Sequence, residues 1–381
     1  ELDAAQKEYA SLLLRLRERD PAYAALVSGR IRSWKDVASR LKPDQVFLEY
    51  MLGDSACTVF VVTADTLAAV DLKVTRESLA DLVQFSRKTI EMPANPAGRE
   101  LWRAPLQRLY LTLIEPVAAA GHLRGKRSLL IAPHAELHFL SFAALIVPGR
   151  PARFLVDRFD VAYTPSASVW IQLGERQFLS PPDGVLVLAP NVKRLPGSEQ
   201  EARAIGRIYG RNAIVRTGSA ATPRGLRAAL PKVGIVHMAT FGVLNNHNPL
   251  FSFIELAPEA ADDGRLGVNE VFGLSLSGQL VILSACQTAL ASGALADVPP
   301  GDDWVGLVQA FLHAGARSVV ASLWSVEDRA TGELMEQFHH RLATSASPVT
   351  ALAEAQRALL RKSATSAPWY WAGFVASGRS E

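Results

Sequence analysis

The chain has only two cysteines, Cys57 and Cys286, among its 381 residues. Two distant cysteines give no framework for a disulfide-rich secreted domain, and no histidine has zinc-ligand spacing to either of them. No apolar run approaches the roughly 18 residues that would span a membrane, and no secretory leader pattern is present. We therefore expect a reduced, cytoplasmic protein without a metal, a cofactor or a membrane partner.

An excess of charge of one sign is also lacking, since 40 Lys and Arg residues face 37 Asp and Glu residues. The arginines are spread along the chain, which argues against a nucleic-acid partner. No glycine-rich phosphate loop follows any predicted strand, which argues against an NTPase or a dehydrogenase. With 49% hydrophobic and 20% charged residues, the composition is typical of a well-packed globular protein.

The length fits two domains better than one. Apolar residues at helical spacing begin at Leu2, and Glu1 is not a start methionine, so we expect residues 1–42 to be a helical leader that continues from an upstream region. Its second helix is predicted to start near Ser33. A boundary near residue 180 then separates a first lobe at 43–180 from a second at 181–381.

Hydrophobic periodicity predicts an antiparallel meander over residues 45–72, two helices at 76–92 and 98–120, and a buried strand at 128–132. After residue 184 strands and helices alternate. This alternation predicts an α/β fold with a mostly parallel sheet flanked by helices. The predicted elements of the second lobe are strands at 185–189, 213–216, 234–239, 280–284 and 318–322, a hairpin-like stretch at 249–257, and helices at 197–209, 222–230, 304–314, 326–344 and 349–362.

Cys286 follows the apolar run 280–283, where the carboxyl end of a strand is expected. Such strand ends are where α/β sheets usually place their chemistry. If strands 234–239 and 280–284 are parallel neighbours, Cys286 faces residue 241, which is Phe241. A cysteine in this context is otherwise a small buried side chain, but the long segment 291–303 that follows it is typical of a functional loop.

A nearby histidine is the usual partner of a catalytic cysteine, and proton transfer between them needs a distance of about 3 Å. His237 shares a face with residue 241 but lies four residues back, about 13 Å at ~3.3 Å per residue, so we interpret it as a hydrogen-bonded core histidine. His247 lies in a turn-rich loop and is a substitute base if that loop folds over the cleft; otherwise it is a solvated loop residue. His339 and His340 are predicted on an exposed helix.

Two acidic pairs precede predicted helices, Asp302-Asp303 and Glu327-Asp328. Capping of the helix N-termini is their default role. The alternative is that Asp303 or Asp328, together with Trp324, lines a pocket for a basic side chain of a substrate.

Several stretches in order resemble the CHAT family, a group of caspase-like cysteine peptidase modules often found after tetratricopeptide or other helical repeats. The matching stretches are Leu137–Leu145, Asp157–Phe159, Tyr163–Ser168, Leu195–Glu199, His237–Gly242, Asn248–Leu250, Leu283–Cys286, Gly315–Trp324 and Trp371–Phe374. The resemblance implies a caspase-type sheet, a first lobe that is a second, non-catalytic caspase-like unit, and a bacterial source.

The resemblance also implies a His–Cys dyad on neighbouring strand ends. Cys286 matches the nucleophile, but Phe241 stands where the family has its dyad histidine, and His237 matches the upstream histidine of the same motif. Gln287 replaces a common glutamate. Backbone N–H groups near Gly242 and Cys286 are the expected oxyanion hole.

Two functions follow from this resemblance. The first is a cysteine endopeptidase that cuts protein or peptide substrates through Cys286 and is impaired by Phe241, unless His247 substitutes as base or the natural residue at 241 is histidine. The second is a pseudopeptidase that acts as a protein-interaction and signalling module downstream of helical repeats or of an activating partner.

Overall fold

The computed structural model describes residues 32–54, 56–91, 100–149, 153–176, 183–243, 251–287, 302–324, 326–344 and 346–379. For residues 285–287 and 302–305 it describes the backbone alone. Within these ranges no helix combines the length and the apolar character that crossing a membrane requires.

The first lobe contains seven strands and five α-helices within the described ranges. Its strands are β1 (Gln45–Leu52), β2 (Cys57–Val62), β3 (Leu67–Leu72), β4 (Ser128–Ala132), β5 (Ile146–Val147), β6 (Arg153–Phe154) and β7 (Asp160–Tyr163). Its helices are α1 (Trp34–Ala38), α2 (Arg76–Ile90), α3 (Arg103–Leu113), α4 (Glu115–Ala119) and α5 (Ala167–Glu175). Helix α1 begins where predicted, because the hydroxyl of Ser33 accepts a hydrogen bond from the N–H of Asp36.

The second lobe alternates strands and helices as predicted. Its strands are β8 (Val185–Ala189), β9 (Ala213–Thr217), β10 (Ile235–Val243), β11 (Phe253–Glu255), β12 (Arg265–Gly267), β13 (Leu280–Gln287), β14 (Ser318–Ser322) and β15 (Phe374–Gly378). Its helices are α6 (Pro196–Tyr209), α7 (Pro223–Ala229), α8 (Val268–Phe272), α9 (Asp302–His313), α10 (Asp328–Ala343) and α11 (Pro348–Leu360).

One thirteen-stranded sheet runs through both lobes. Its main order is β12-β11-β10-β13-β14-β15-β7-β4-β1-β2-β3, and β8 and β9 extend from β10. Five strands of the second lobe form a parallel series in which each pairs with the next: β9, β8, β10, β13 and β14. The predicted mostly parallel α/β sheet is therefore confirmed, and so is the antiparallel meander β1-β2-β3.

The two lobes meet where β15 pairs in parallel with β7. Strand β15 itself runs antiparallel to β14, so the parallel strands of the first lobe run opposite to those of the second. The sheet hydrogen bonding is thus continuous between the strands of the two lobes, and the division into lobes remains a prediction.

Helices cover both faces of the second-lobe strands. On one face, side chains of α7, α8 and α9 pack on Val236, Met238, Val281 and Leu283. On the other face, Ala202 and Ile205 of α6 pack on β8 and on Ala239, and α10 lies against α6. Because parallel strands bury both faces, these strands are almost continuously apolar.

Several of the described elements differ from the sequence prediction. Strands β10 and β13 continue to residues 243 and 287 and thereby include Phe241 and Cys286. The helix predicted over 98–120 is two helices, α3 and α4, with Pro116 near the start of the second, where proline is favoured. Strands β7 and β15, which join the lobes, are additional to the predicted strands.

Candidate active site

Phe241 and Cys286 occupy the same rung of two adjacent parallel strands. The register of β10 and β13 pairs Ala239 with Ser284, Phe241 with Cys286 and Gly242 with Gln287. Cys286 therefore lies among the last paired residues of β13. The sequence predicts a position just beyond the strand, and the structure places the residue inside it. The predicted opposition of residues 241 and 286 is observed.

The ring of Phe241 is closed off from solvent, with 4% of its surface exposed. The guanidinium carbon of Arg194 lies 4.3 Å from the ring centroid, within cation–π range. Arg194 also forms an ion pair with Glu255, Nη1 to Oε1 at 2.8 Å. The position at which the resemblance implies a histidine base is thus occupied by an apolar ring, with the Arg194 guanidinium over it.

The loop that carries Arg194 is tied to the end of β10. Asn191 Nδ2 donates to Thr240 Oγ1 over 3.1 Å, and Thr240 Oγ1 donates to the carbonyl of Glu255 over 2.5 Å. The carbonyl of Asn191 accepts from the N–H of Arg194 over 2.9 Å. These bonds hold the loop, β10 and β11 together, so Arg194 is positioned over Phe241 by the backbone around it.

His237 is a core histidine, as its distance from the strand end predicted. It is 0% exposed, its Nε2 lies 2.7 Å from Glu201 Oε1, and its Nδ1 lies 3.1 Å from His339 Nε2. Both ring nitrogens are therefore engaged, four residues from Phe241. His237 is the one histidine in β10 and β13, and its ring is not available to a thiol at residue 286.

The prediction that His339 lies on an exposed helix face is wrong. His339 is 0% exposed, and its Nδ1 lies 3.2 Å from Tyr209 Oη. It follows Met335 by one helical turn and shares the buried face of α10, whereas His340 is exposed. Burial, and then the nearby His237, hold the pKa of His339 well below its usual value.

The predicted site also includes Gly242 and His247. Gly242 is paired with Gln287 on one side and with Ile254 on the other, so its backbone lies inside the sheet ladder. His247 lies outside the described residues. A substitute base at His247 and an oxyanion hole near Gly242 remain predictions.

The acidic residues have structural partners where their side chains are described. Glu327 caps α10 by accepting from the N–H of Ala330 over 2.7 Å, which confirms its predicted capping role. Asp328 Oδ2 accepts from the N–H of Gly197 over 2.8 Å and joins the starts of α6 and α10. Asp303 lies in the first turn of α9, with its side chain outside the description.

Trp324 follows β14 and is 1% exposed. Its ring packs in the core, with Nε1 beside Gly373, so a substrate reaches it only if that core opens. Contact of Trp324, Asp303 or Asp328 with a substrate remains a prediction.

Sequence reasoning missed Glu201, Asn191 and Arg194. The sequence offered one signal, since Glu201 lies next to Ala202 and one turn before Ile205, on the apolar face of α6. A charged residue on a buried face usually has a partner. In the described ranges no group of three His, Cys, Asp or Glu side chains is placed to hold a metal ion.

Comparison with solved structures shows the same fold. The chain is similar to the Saccharomyces cerevisiae separase–securin complex at 2.6 Å resolution, with a TM-score of 0.57 and 11% identity over 94% of this chain and 31% of that chain. A second structure of that complex, at 3.0 Å resolution, gives a TM-score of 0.55 and 10% identity over 91% of this chain and 30% of that chain. The likeness shows a caspase-like α/β fold.

Sequence comparison finds tetratricopeptide repeat protein 28 from Homo sapiens, 26% identical over 332 residues, and from Mus musculus, 26% identical over 338 residues. The match covers 72% of this chain for the human protein and 73% for the mouse protein, and in both cases 13% of the relative. Both relatives are mammalian, so the bacterial source remains a prediction. The CHAT domain family model matches residues 103–379, which is well over half of the chain. This chain belongs to the CHAT domain family.

Proposed function

We propose that this chain is a caspase-like cysteine endopeptidase module that acts on protein substrates through Cys286 and is impaired by Phe241. The observation that supports the proposal is the pairing of these two residues on one rung of the sheet. Adjacent strands lie about 4.8 Å apart, so a histidine at residue 241 would reach a thiol at residue 286. The pairing supports a dyad-type site in which a histidine side chain at residue 241 is missing.

The phenyl ring changes the chemistry in two ways. It cannot accept the thiol proton, and it cannot hold the thiolate as an ion pair. An apolar neighbour also disfavours the charged thiolate and raises the thiol pKa. Loss of general acid–base catalysis alone costs about 10²–10⁴-fold in rate. We therefore expect the protein with Phe241 to cleave peptides slowly or not at all.

The second candidate function is a pseudopeptidase that binds protein segments or signals without cutting them. The contact of Arg194 with Phe241 favours it, because the ring is 4% exposed and is held by a cation that is itself paired with Glu255. Phe241 thus makes packing contacts of its own at the position where a dyad histidine is expected. A substrate-like segment would still bind along the strand ends, although no bond is cut.

We expect upstream helical repeats to supply the partner or the activating signal. The support comes from the two relatives, which are tetratricopeptide repeat proteins and of which this chain spans 13%. We expect Asp303 and Asp328 to favour a basic residue before the cut, and no nucleic acid, membrane, metal or cofactor to take part. The site would act in the cytoplasm.

The experiment compares the unaltered protein with Phe241→His. A peptidyl electrophile with a basic residue labels Cys286, and a matching peptide reports cleavage. We expect the histidine variant to gain both labelling and cleavage by about 10²-fold or more. Leu67→His, at the exposed start of β3, is the control, because β3 is the edge strand at the far end of the sheet order from β13.

Three results separate the functions. Cleavage by the unaltered protein that His247→Ala abolishes would assign the base to His247 and exclude the pseudopeptidase. Gain of both reactions in Phe241→His alone supports the impaired endopeptidase. A folded Phe241→His protein that neither labels nor cleaves contradicts the endopeptidase proposal, and thermal denaturation shows whether it is folded.

A further inference from the structure

Four side chains form a continuous hydrogen-bonded chain through the core behind the candidate site. Glu201 Oε1 lies 2.7 Å from His237 Nε2, His237 Nδ1 lies 3.1 Å from His339 Nε2, and His339 Nδ1 lies 3.2 Å from Tyr209 Oη. Both ends of the chain are on α6, and its centre crosses from β10 to α10. We call these four residues the Glu–His–His–Tyr chain.

Only one end of the chain reaches towards solvent. His237 and His339 are 0% exposed and Glu201 is 4% exposed, while Tyr209 is partly exposed. Strands β8 and β13 place Val187 and Ile282 in register with His237. The titratable groups that face the two histidines are thus Glu201 and Tyr209 from α6, together with His340, the neighbour of His339 on α10.

The geometry allows two directions of donation. A neutral imidazole has one donor and one acceptor nitrogen. In the first direction the Tyr209 hydroxyl donates to His339 Nδ1, His339 Nε2–H donates to His237 Nδ1, and His237 Nε2–H donates to Glu201. Every bond is made, but an ionised Glu201 then has no countercharge in the core, which is costly.

One added proton reverses the direction of two hydrogen bonds, the one between Tyr209 and His339 and the one between His339 and His237. A proton from solvent binds the oxygen of Tyr209, the original hydroxyl proton passes to His339 Nδ1, and the proton on His339 Nε2 passes to His237 Nδ1. His237 is then an imidazolium paired with the Glu201 carboxylate. His339 is neutral as before, with its proton now on Nδ1 and donated to Tyr209.

We propose that the Glu–His–His–Tyr chain is a buried proton-binding site that is filled through Tyr209 and stores one proton on His237. The stored proton gives Glu201 its countercharge, and breaking such a buried pair is strongly unfavourable. Burial and the neighbouring His237 oppose a second proton on His339. Uptake therefore ties α6, β10 and α10 more firmly together, behind the strand that carries Phe241. This inference requires no peptidase activity.

Nitrogen-15 NMR of histidine-labelled protein tests the proposal on the unaltered chain. His237→Gln and His339→Gln assign the signals, and the exposed His340→Gln is the matched control. As the pH falls from about 8 to about 5, the range in which histidine charge changes, we expect both nitrogens of His237 to become protonated. His339 should stay neutral while its proton moves from Nε2 to Nδ1. A His339 tautomer that never changes, or a His237 that never charges, overturns the proposal.

Two variants test the roles of the ends. Tyr209→Phe keeps the ring that packs edge-on to His339, with centroids 5.6 Å apart, and removes the hydroxyl. We expect proton exchange at His237 to slow by about tenfold or more. Glu201→Gln removes the countercharge, and we expect His237 to stay neutral where it charges in the unaltered protein. Charging of His237 in folded Glu201→Gln, or unchanged exchange in Tyr209→Phe, contradicts the proposal.

Discussion

Phe241 lies directly opposite Cys286, on strands whose parallel register continues without a bulge from residue 235 to residue 242. The backbone at the strand ends therefore places residues 241 and 286 side by side. Phe241 is held there by Arg194 and by the bonds of Thr240. Phe241 and Gln287 depart from the pattern that the resemblance implies, while the pairing of the two strands is regular.

The contact of Arg194 with Phe241 should contribute measurably to stability. We expect Arg194→Ala to lower the free energy of unfolding by about 0.5–1 kcal/mol, the usual size of a cation–π contact at an exposed site. Glu255→Gln removes the ion pair but keeps the cation over the ring, so it should cost less. Denaturant unfolding measures both. Equal losses would assign the effect to the ion pair instead.

Gly197 and Asp328 should be strongly coupled. A Cβ at residue 197 would lie 2.4 Å from the Asp328 carboxylate, which accepts from the Gly197 N–H. Gly197→Ala should therefore displace the carboxylate and cost about 1–3 kcal/mol.

The double variant Gly197→Ala/Asp328→Ala provides the control. Since Asp328→Ala removes the group that is displaced, we expect the double variant to lose less stability than the sum of the single variants. Additive losses in thermal denaturation would show that the two residues act independently.

Two glycines predict opposite effects of the same substitution. Gly315 has φ of +109°, and a Cβ there would lie 2.1 Å from the carbonyl oxygen of Leu276, so Gly315→Ala should destabilise by about 1–3 kcal/mol or more. Gly332 lies inside α10 with open space around it. Gly332→Ala should stabilise by about 0.5–1 kcal/mol. Melting temperatures that move in the same direction would contradict this prediction.

His138 should make the protein sensitive to acid. Burial, and then the nearby His134, lower the pKa of His138 from 6.5 to about 4. Because the folded-state pKa lies below the unfolded one, the unfolded chain binds the proton more readily between pH 6.5 and about 4. Stability is therefore full above this window and falls as the pH decreases through it, by at most about 1.4 kcal/mol per pH unit.

A comparison of His138→Gln with the unaltered protein isolates this contribution. Unfolding free energies measured from pH 7 to pH 4 should fall less steeply in the variant. The exposed His340→Gln should follow the unaltered protein. The same slope in all three proteins would show that His138 does not bind its proton differently on unfolding.

The alternation of strands and helices was predictable, because each element carries its own hydrophobic period. The opposition of residues 241 and 286 followed from placing two strand ends at one edge. The full length of β13 was not predictable, since Ala285, Cys286 and Gln287 do not form an apolar run and are in the strand because β10 pairs with them. Pairing partners of this kind are not visible in a local pattern.

The Glu–His–His–Tyr chain shows the same limit. His237 contacts Glu201, 36 residues away, and His339, 102 residues away. Each residue alone looks ordinary in the sequence, and two adjacent histidines on a helix suggested exposure. Only the packing of α6 and α10 on one face of β10 brings the four groups together.

The proposed site has a nucleophile at Cys286 and no base, a claim that can be checked through the pH dependence of Cys286 alkylation. Cys57 is 1% exposed, and burial raises its pKa, so it should react slowly. In the unaltered protein we expect the rate at Cys286 to rise only near or above the ordinary thiol pKa of about 8.5. In Phe241→His, a rate plateau should extend to neutral pH. Full thiolate reactivity at neutral pH in the unaltered protein would contradict the claim.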